Sequence, residues 1–220
     1  SDLIHRSLMI HKSVGQWAAV IGFLAAAGVS AAYLIYQKSI INTIQAGGNT
    51  ISITEDFEPP KKQEVGDNIF KKRVQIENMD ETACFVRVFM EFSDSGTKKR
   101  ARISPDGRSW YPAVEYGSSG FENFPQNWCY LSLEEDPLLG GFYYYTVPVN
   151  PGERTVPLAE QILVSYEQDS QIRDFDILVT ADSIQTCIFE EQEDGSFTAA
   201  DVSQQDEGWK MAWTEYLERR

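Results

Sequence analysis

Between Lys12 and Lys38 the chain carries no charged side chain, and Val14 to Tyr36 inside that gap is an almost unbroken apolar run. At about 23 residues the run is long enough to cross a bilayer as a helix. It has no polar stripe of the kind a surface helix needs, which argues against a buried core helix. Arg6 and Lys12 precede it. The positive-inside rule therefore places the N-terminus in the cytoplasm and everything after the run outside the cell. Two readings follow. The run is a signal peptide, with small residues at Val29, Ser30, Ala31 and Ala32 offering a cleavage site, or it is an uncleaved anchor that holds the body to the membrane through residues 14–36.

The chain thus divides into a hydrophobic head, 1–37, a strand or linker over 38–48, and a soluble body, 49–220, with room for one ordinary domain. The two histidines, His5 and His11, both lie in the head. The body lacks the commonest general base and the commonest transition-metal ligand. A serine or cysteine device built on histidine is excluded, and no HExxH motif is present for a zinc peptidase. No cofactor is expected, and no glycine-rich phosphate loop occurs. Carboxylates are the remaining option. Their densest clusters, Glu134-Glu135-Asp136 and Glu190-Glu191-Gln192-Glu193-Asp194, read as solvated charge, with a weak calcium site as the next possibility.

Net charge is −14; the head contributes +1 through Arg6 and Lys12 against Asp2, which leaves −15 on the linker and body together, residues 38–220. Such a body repels nucleic acid. It is not a disordered acidic tail, because 42% of the chain is hydrophobic. Cys84, Cys129 and Cys187 form no CxxC pair and read as buried thiols on strands, one disulfide with a leftover thiol being the alternative.

In the body, β-branched and alternating segments dominate: Thr50–Thr54, Phe70–Glu77, Cys84–Phe92, Arg100–Ser104, Trp128–Leu133, Phe142–Val149, Ile162–Tyr166 and Phe175–Ser183. Turn signals separate them, among them Pro59-Pro60, Ser95-Gly96, Asp106-Gly107, Gly140-Gly141 and Pro151-Gly152. Short strands with no helical periodicity between them predict an all-β antiparallel sandwich. The end differs: Trp209, Ala212, Trp213, Tyr216 and Leu217 recur at helical spacing, predicting one short amphipathic helix over 206–219 packed on the sandwich. Residues 57–68 and 116–126 read as loops.

The order of these features resembles the TasA/camelysin family of exported Gram-positive proteins. Ala32-Tyr33 follows the apolar run, and Asn42 to Gly47 is similar to the family's Asn-x-Phe-x-x-Gly. The segment from Asn49 to Pro60 resembles a first strand, and Lys72–Asn78 followed by Phe85–Val88 resembles the family's strand pair. Trp128, the run Phe142–Tyr145, Val149–Thr155, Phe175–Gln185 and Gly208–Trp213 continue the likeness over most of the body. Leu34-Ile35-Tyr36 stands where the family shows Phe-Thr-Asp, so its cleavage position does not carry over.

The resemblance implies a jelly-roll sandwich, processing by a SipW-type signal peptidase, and a secreted or cell-surface role in a biofilm matrix, with copies joined into fibres when an N-terminal strand of one fills a groove in the next. The partner is then the protein itself. The candidate donor strand is Ser39, Ile40, Ile41, Asn42, Thr43, Ile44 and Gln45; a linker or an intramolecular edge strand is the plainer reading of the same residues. Peptidase activity of the camelysin kind does not fit a body without histidine, so no catalytic residue is assigned. The alternative function is a membrane-anchored extracellular binding module, for instance for carbohydrate, using Trp110, Tyr111 and Tyr116.

Overall fold

The computed structural model describes residues 40–46, 49–58, 62–118 and 124–219. The chain divides into two units, Ser1–Lys38 and Ser39–Arg220. The expected head, including the apolar run and both histidines, lies outside the described residues, as does Ser39. Among the described residues no helix is long and apolar enough to cross a membrane.

The body is built from antiparallel strands, as the alternation predicts. One sheet has six strands in the order β1 (Ile40–Ala46), β2 (Asn49–Glu58), β3 (Gly66–Asn78), β9 (Ala159–Tyr166), β5 (Ala101–Ser104) and β6 (Tyr111–Pro112). A second has four, in the order β10 (Ile177–Gln185), β4 (Cys84–Phe92), β8 (Phe142–Val149) and β7 (Trp128–Leu131). A separate hairpin pairs β11 (Cys187–Glu191) with β12 (Phe197–Asp201). The chain crosses between the two large sheets at β3–β4, β4–β5, β6–β7, β8–β9 and β9–β10, so the two sheets are interleaved along the sequence.

Period-two burial assembles one core from the facing rows. Ile51 and Ile53 of β2, Phe70, Val74 and Ile76 of β3, and Ile162 and Val164 of β9 meet Val86, Val88 and Met90 of β4 and Tyr143 and Tyr145 of β8. The outer face of the four-stranded sheet is covered as well. There α2 (Gly208–Glu218) lays Trp209, Ala212 and Trp213 onto Phe85 and Tyr144, forming a second cluster. Double coverage explains why three consecutive tyrosines, Tyr143 to Tyr145, are all buried. Their orientations alternate: the Tyr144 ring lies 5.1 Å from Trp209 while its neighbours fill the inter-sheet core. Arg87, on the same outer face, is held between Phe142 (4.0 Å) and Trp213 (4.5 Å) and paired to Asp182 at 2.9 Å.

A short helix, α1 (Ser95–Arg100), precedes β5, where the sequence suggests only a turn. Asp94 caps it, accepting from the Thr97 amide at 2.6 Å. The expected loop over residues 57–68 is shorter than predicted, since β2 runs to Glu58 and β3 starts at Gly66.

Candidate self-association edge

A sheet edge offers a row of backbone donors and acceptors to an incoming strand. Four strands are edges of the two large sheets: β1 and β6 of one, β10 and β7 of the other. They are not equivalent. β6 is two residues long, and one of them, Pro112, has no N–H to give. β7 has four residues. β10 has nine and β1 seven, and the two lie near each other where the sandwich closes. Of these two long edges, β10 carries Asp182 whereas β1, at the start of the body, is uncharged.

The sequence-predicted donor residues fall on this strand. Ile40, Ile41, Asn42, Thr43, Ile44 and Gln45 pair antiparallel with Glu55, Thr54, Ile53, Ser52, Ile51 and Thr50 of the same chain. The plainer expectation, an intramolecular edge strand, is therefore what the isolated chain adopts. Residues 40–46 form part of the sheet of the body rather than a free linker. The connection to β2 consists of Gly47 and Gly48, and β1 carries no charged residue along its length. On the inner side of the joint, Ile51 and Ile53 are buried and β2 continues into β3 with Ile53 opposite Ile76.

The acidic clusters singled out in the sequence are engaged locally at Glu135, Asp136 and Asp194. Glu135 accepts from the amide and hydroxyl of Ser132, and Asp136 accepts from the amides of Leu138 and Leu139, so this acidic cluster closes its own turn. Asp194 does the same for Ser196 in the β11–β12 turn. Among the described residues no three His, Cys, Asp or Glu side chains stand close enough to hold a metal ion. The three cysteines are free thiols. Burial pushes Cys84 up to about 12 and Cys129 up to about 11, and raises Cys187, the reverse of what a nucleophilic thiolate requires.

The carbohydrate-platform reading needs correction. Tyr116 is 2% exposed and donates its hydroxyl to the Leu158 carbonyl at 2.6 Å. Tyr111 is buried beside it, the two ring centroids 6.0 Å apart. The two tyrosines are core residues, because the segment after β6 folds inward over Tyr143 rather than standing free as a loop. Only Trp110 is partly exposed.

Two features escape a reading of the sequence by pattern alone. Lys72 is buried, in phase with Phe70, Val74 and Ile76, and its Nζ donates to the Ile177 carbonyl at 3.4 Å. Desolvation lowers its pKa from 10.5 to about 8, against the opposing pull of Asp176. The signal was present as an even-numbered position in an alternating strand. The second is the β11–β12 hairpin, which the Asp194-Gly195 pair between two short β-prone runs could have revealed; Gly195 has φ +77°. No protein-family model, no curated protein and no solved structure matches this chain.

Proposed function

We propose that the chain is a secreted or cell-surface structural protein of the TasA-like type, non-catalytic, whose copies join through β1. The observation that carries this reading is the uncharged seven-residue edge strand, joined to the body through two glycines and hydrogen-bonded, among the described residues, to β2 on one side. Every backbone bond of that pair can be remade with the β2 of a neighbouring copy in the same register, because the partners and their spacing are identical. Passed in one direction from copy to copy the exchange is heterologous and builds fibres, whereas a reciprocal exchange between two copies closes as a dimer.

The same proposal includes the export route: residues 14–36 act as signal or anchor, a SipW-type signal peptidase processes the precursor, and the body stands outside the cell. A jelly-roll-like form of the sandwich belongs to it also, supported by strands that repeatedly change sheets. The order β2-β3-β9-β5, facing the β4–β10 pair, equally follows the A-B-E-D and C–F pattern of an immunoglobulin sandwich, so the strand order does not by itself favour the jelly roll.

Electron microscopy tests the reading directly. Purified protein is expected to form fibres with rising concentration, and deletion of Ser39–Gln45 is expected to abolish them while leaving the β-sheet circular dichroism of the body. Fibres that persist in the deletion variant, or their absence at every concentration of the intact protein, would refute it.

A further inference from the structure

An exposed apolar groove lies at the C-terminal end of the body. α2 turns Trp209, Ala212 and Trp213 down onto the four-stranded sheet and leaves Glu207, Met211, Thr214 and Glu218 on its flank. β11 runs beside that flank. Between them lies an open groove of about 430 Å³ floored by Ile188, Phe189 and Met211. Phe189 is 46% exposed and Met211 40%, although each sits beside a well-packed core. Apolar surface rimmed by polar groups is characteristic of an interaction site.

Backbone chemistry decides what can enter. The Phe189 N–H donates to both carboxylate oxygens of Glu215, at 2.9 and 3.0 Å, and its carbonyl accepts from Arg219 at 3.0 Å. The edge of β11 is thus closed at its centre by two helix side chains that are themselves paired at 2.5 Å. An added strand has no bond to make there. A helix, which satisfies its own backbone, needs none.

Charge decides the rest. Glu215 and Arg219 offset each other. Among the other charged side chains that line the groove, Glu207 and Glu218 outnumber Lys210. Glu207 and Glu218 stand eleven positions apart on the helix, or roughly 16 Å at 1.5 Å per residue, the length of about three helical turns.

We propose that this groove docks a cationic amphipathic helix of a partner protein, its apolar face on Phe189, Ile188 and Met211 and its Lys or Arg side chains reaching Glu207 and Glu218. A second copy of this chain is the wrong occupant, since it would bring an acidic body against the groove's own Glu207 and Glu218, a repulsion that the uncharged β1 edge does not meet. The site is independent of the β1 edge.

The test uses the full chain in zwitterionic nanodiscs, with empty nanodiscs as the blank, and a fluorescent leucine–lysine peptide of about 14 residues that forms one apolar helical face. Fluorescence anisotropy is expected to show saturable one-to-one binding. Phe189→Ser with Met211→Ser, and separately Glu207→Lys with Glu218→Lys, should each weaken it roughly tenfold or more. Glu81→Lys with Glu167→Lys, which changes the charge equally at exposed positions elsewhere, should leave it within about twofold. Circular dichroism confirms that each variant is folded, and the charge pair decides the matter if the apolar pair is not. Equal loss from both charge-reversed variants would reduce the binding to non-specific attraction and overturn the proposal. So would an absence of saturation, or tighter binding of a strand-forming peptide of alternating leucine and lysine. A loss of self-association in the groove variants without any effect on the peptide would reassign the groove to a contact between copies and overturn it equally.

Discussion

Replacing Lys72 with methionine should stabilise this protein at neutral pH, and the gain should vanish as the pH rises. Lys72 is buried in phase with Phe70, at the end where Phe175 stacks on Phe92 and meets Phe70 edge-on. Its pKa falls from 10.5 to about 8. The unfolded chain therefore binds the proton more tightly than the folded one, and stability rises with pH between about 8 and 10.5. Below pH 8 the full cost of a buried ammonium is felt, roughly 3 kcal/mol at about 1.4 kcal/mol per pKa unit. Methionine has nearly the same shape and removes that cost, but it forfeits the bond to the Ile177 carbonyl, worth about 1 kcal/mol. The net gain is roughly 2 kcal/mol, or about 4–8 °C in Tm for a domain of this size. Thermal unfolding of both proteins from about pH 6 to pH 11 is the assay. Buried Tyr143 and Cys84, whose pKa values are raised, lower the stability of both proteins alike at alkaline pH. The difference between the two curves isolates Lys72. If Lys72→Met is less stable at pH 7, or if the difference does not shrink between pH 8 and 10.5, the reasoning from desolvation fails.

Arg87→Ala should cost roughly 2–3 kcal/mol in urea unfolding, because it removes the guanidinium packed between Phe142 and Trp213 and leaves Asp182, which is partly hydrated, without its partner. Gly208→Ala should loosen α2 from the sheet. A Cβ there would overlap the Val202 carbonyl oxygen, and the expected signature is loss of the near-ultraviolet circular dichroism of Trp209 and Trp213 with the far-ultraviolet β signal retained. An unchanged near-ultraviolet spectrum would show that the close approach is not needed for docking.

The sandwich was legible in the sequence wherever polar or charged residues alternate with apolar ones along a strand. β4 carries Val86, Val88 and Met90 at alternate positions, and its limits, Cys84–Phe92, coincide with the predicted ones. The helical stripe of Trp209, Ala212 and Trp213 likewise reads directly as a buried face. Legibility failed where a second layer hides the pattern or where a residue violates it. Tyr111 and Tyr116 look like surface aromatics because they precede a Gly/Ser-rich stretch, yet both are core residues, and no local pattern encodes a long-range contact such as Tyr116 with Leu158. Lys72 is the opposite case. Its position in the alternation was readable, but the expectation that lysine is wet overrode it.

Charge explains why the ends of the body, and not its faces, are the places to look for contacts. Copies carrying −15 repel one another over a Debye length of about 8 Å at physiological salt. Only contacts free of acidic groups can hold them together without a counter-ion. From Ile40 through Ala46 and onward from Asn49 to Thr54 there is not one acidic or basic residue, the longest such stretch in the sheets of the body. Backbone bonds made there gain little from charge and lose little to salt, whereas the repulsion between the two bodies is screened as salt rises. Fibre growth through β1 should therefore accelerate between about 0.01 M and 0.15 M sodium chloride, over which the Debye length shrinks from about 30 to 8 Å. Light scattering against time at fixed protein concentration reads the sign. An assembly that slows with salt would be held by ion pairs, which β1 cannot supply, and the edge would have to be sought elsewhere.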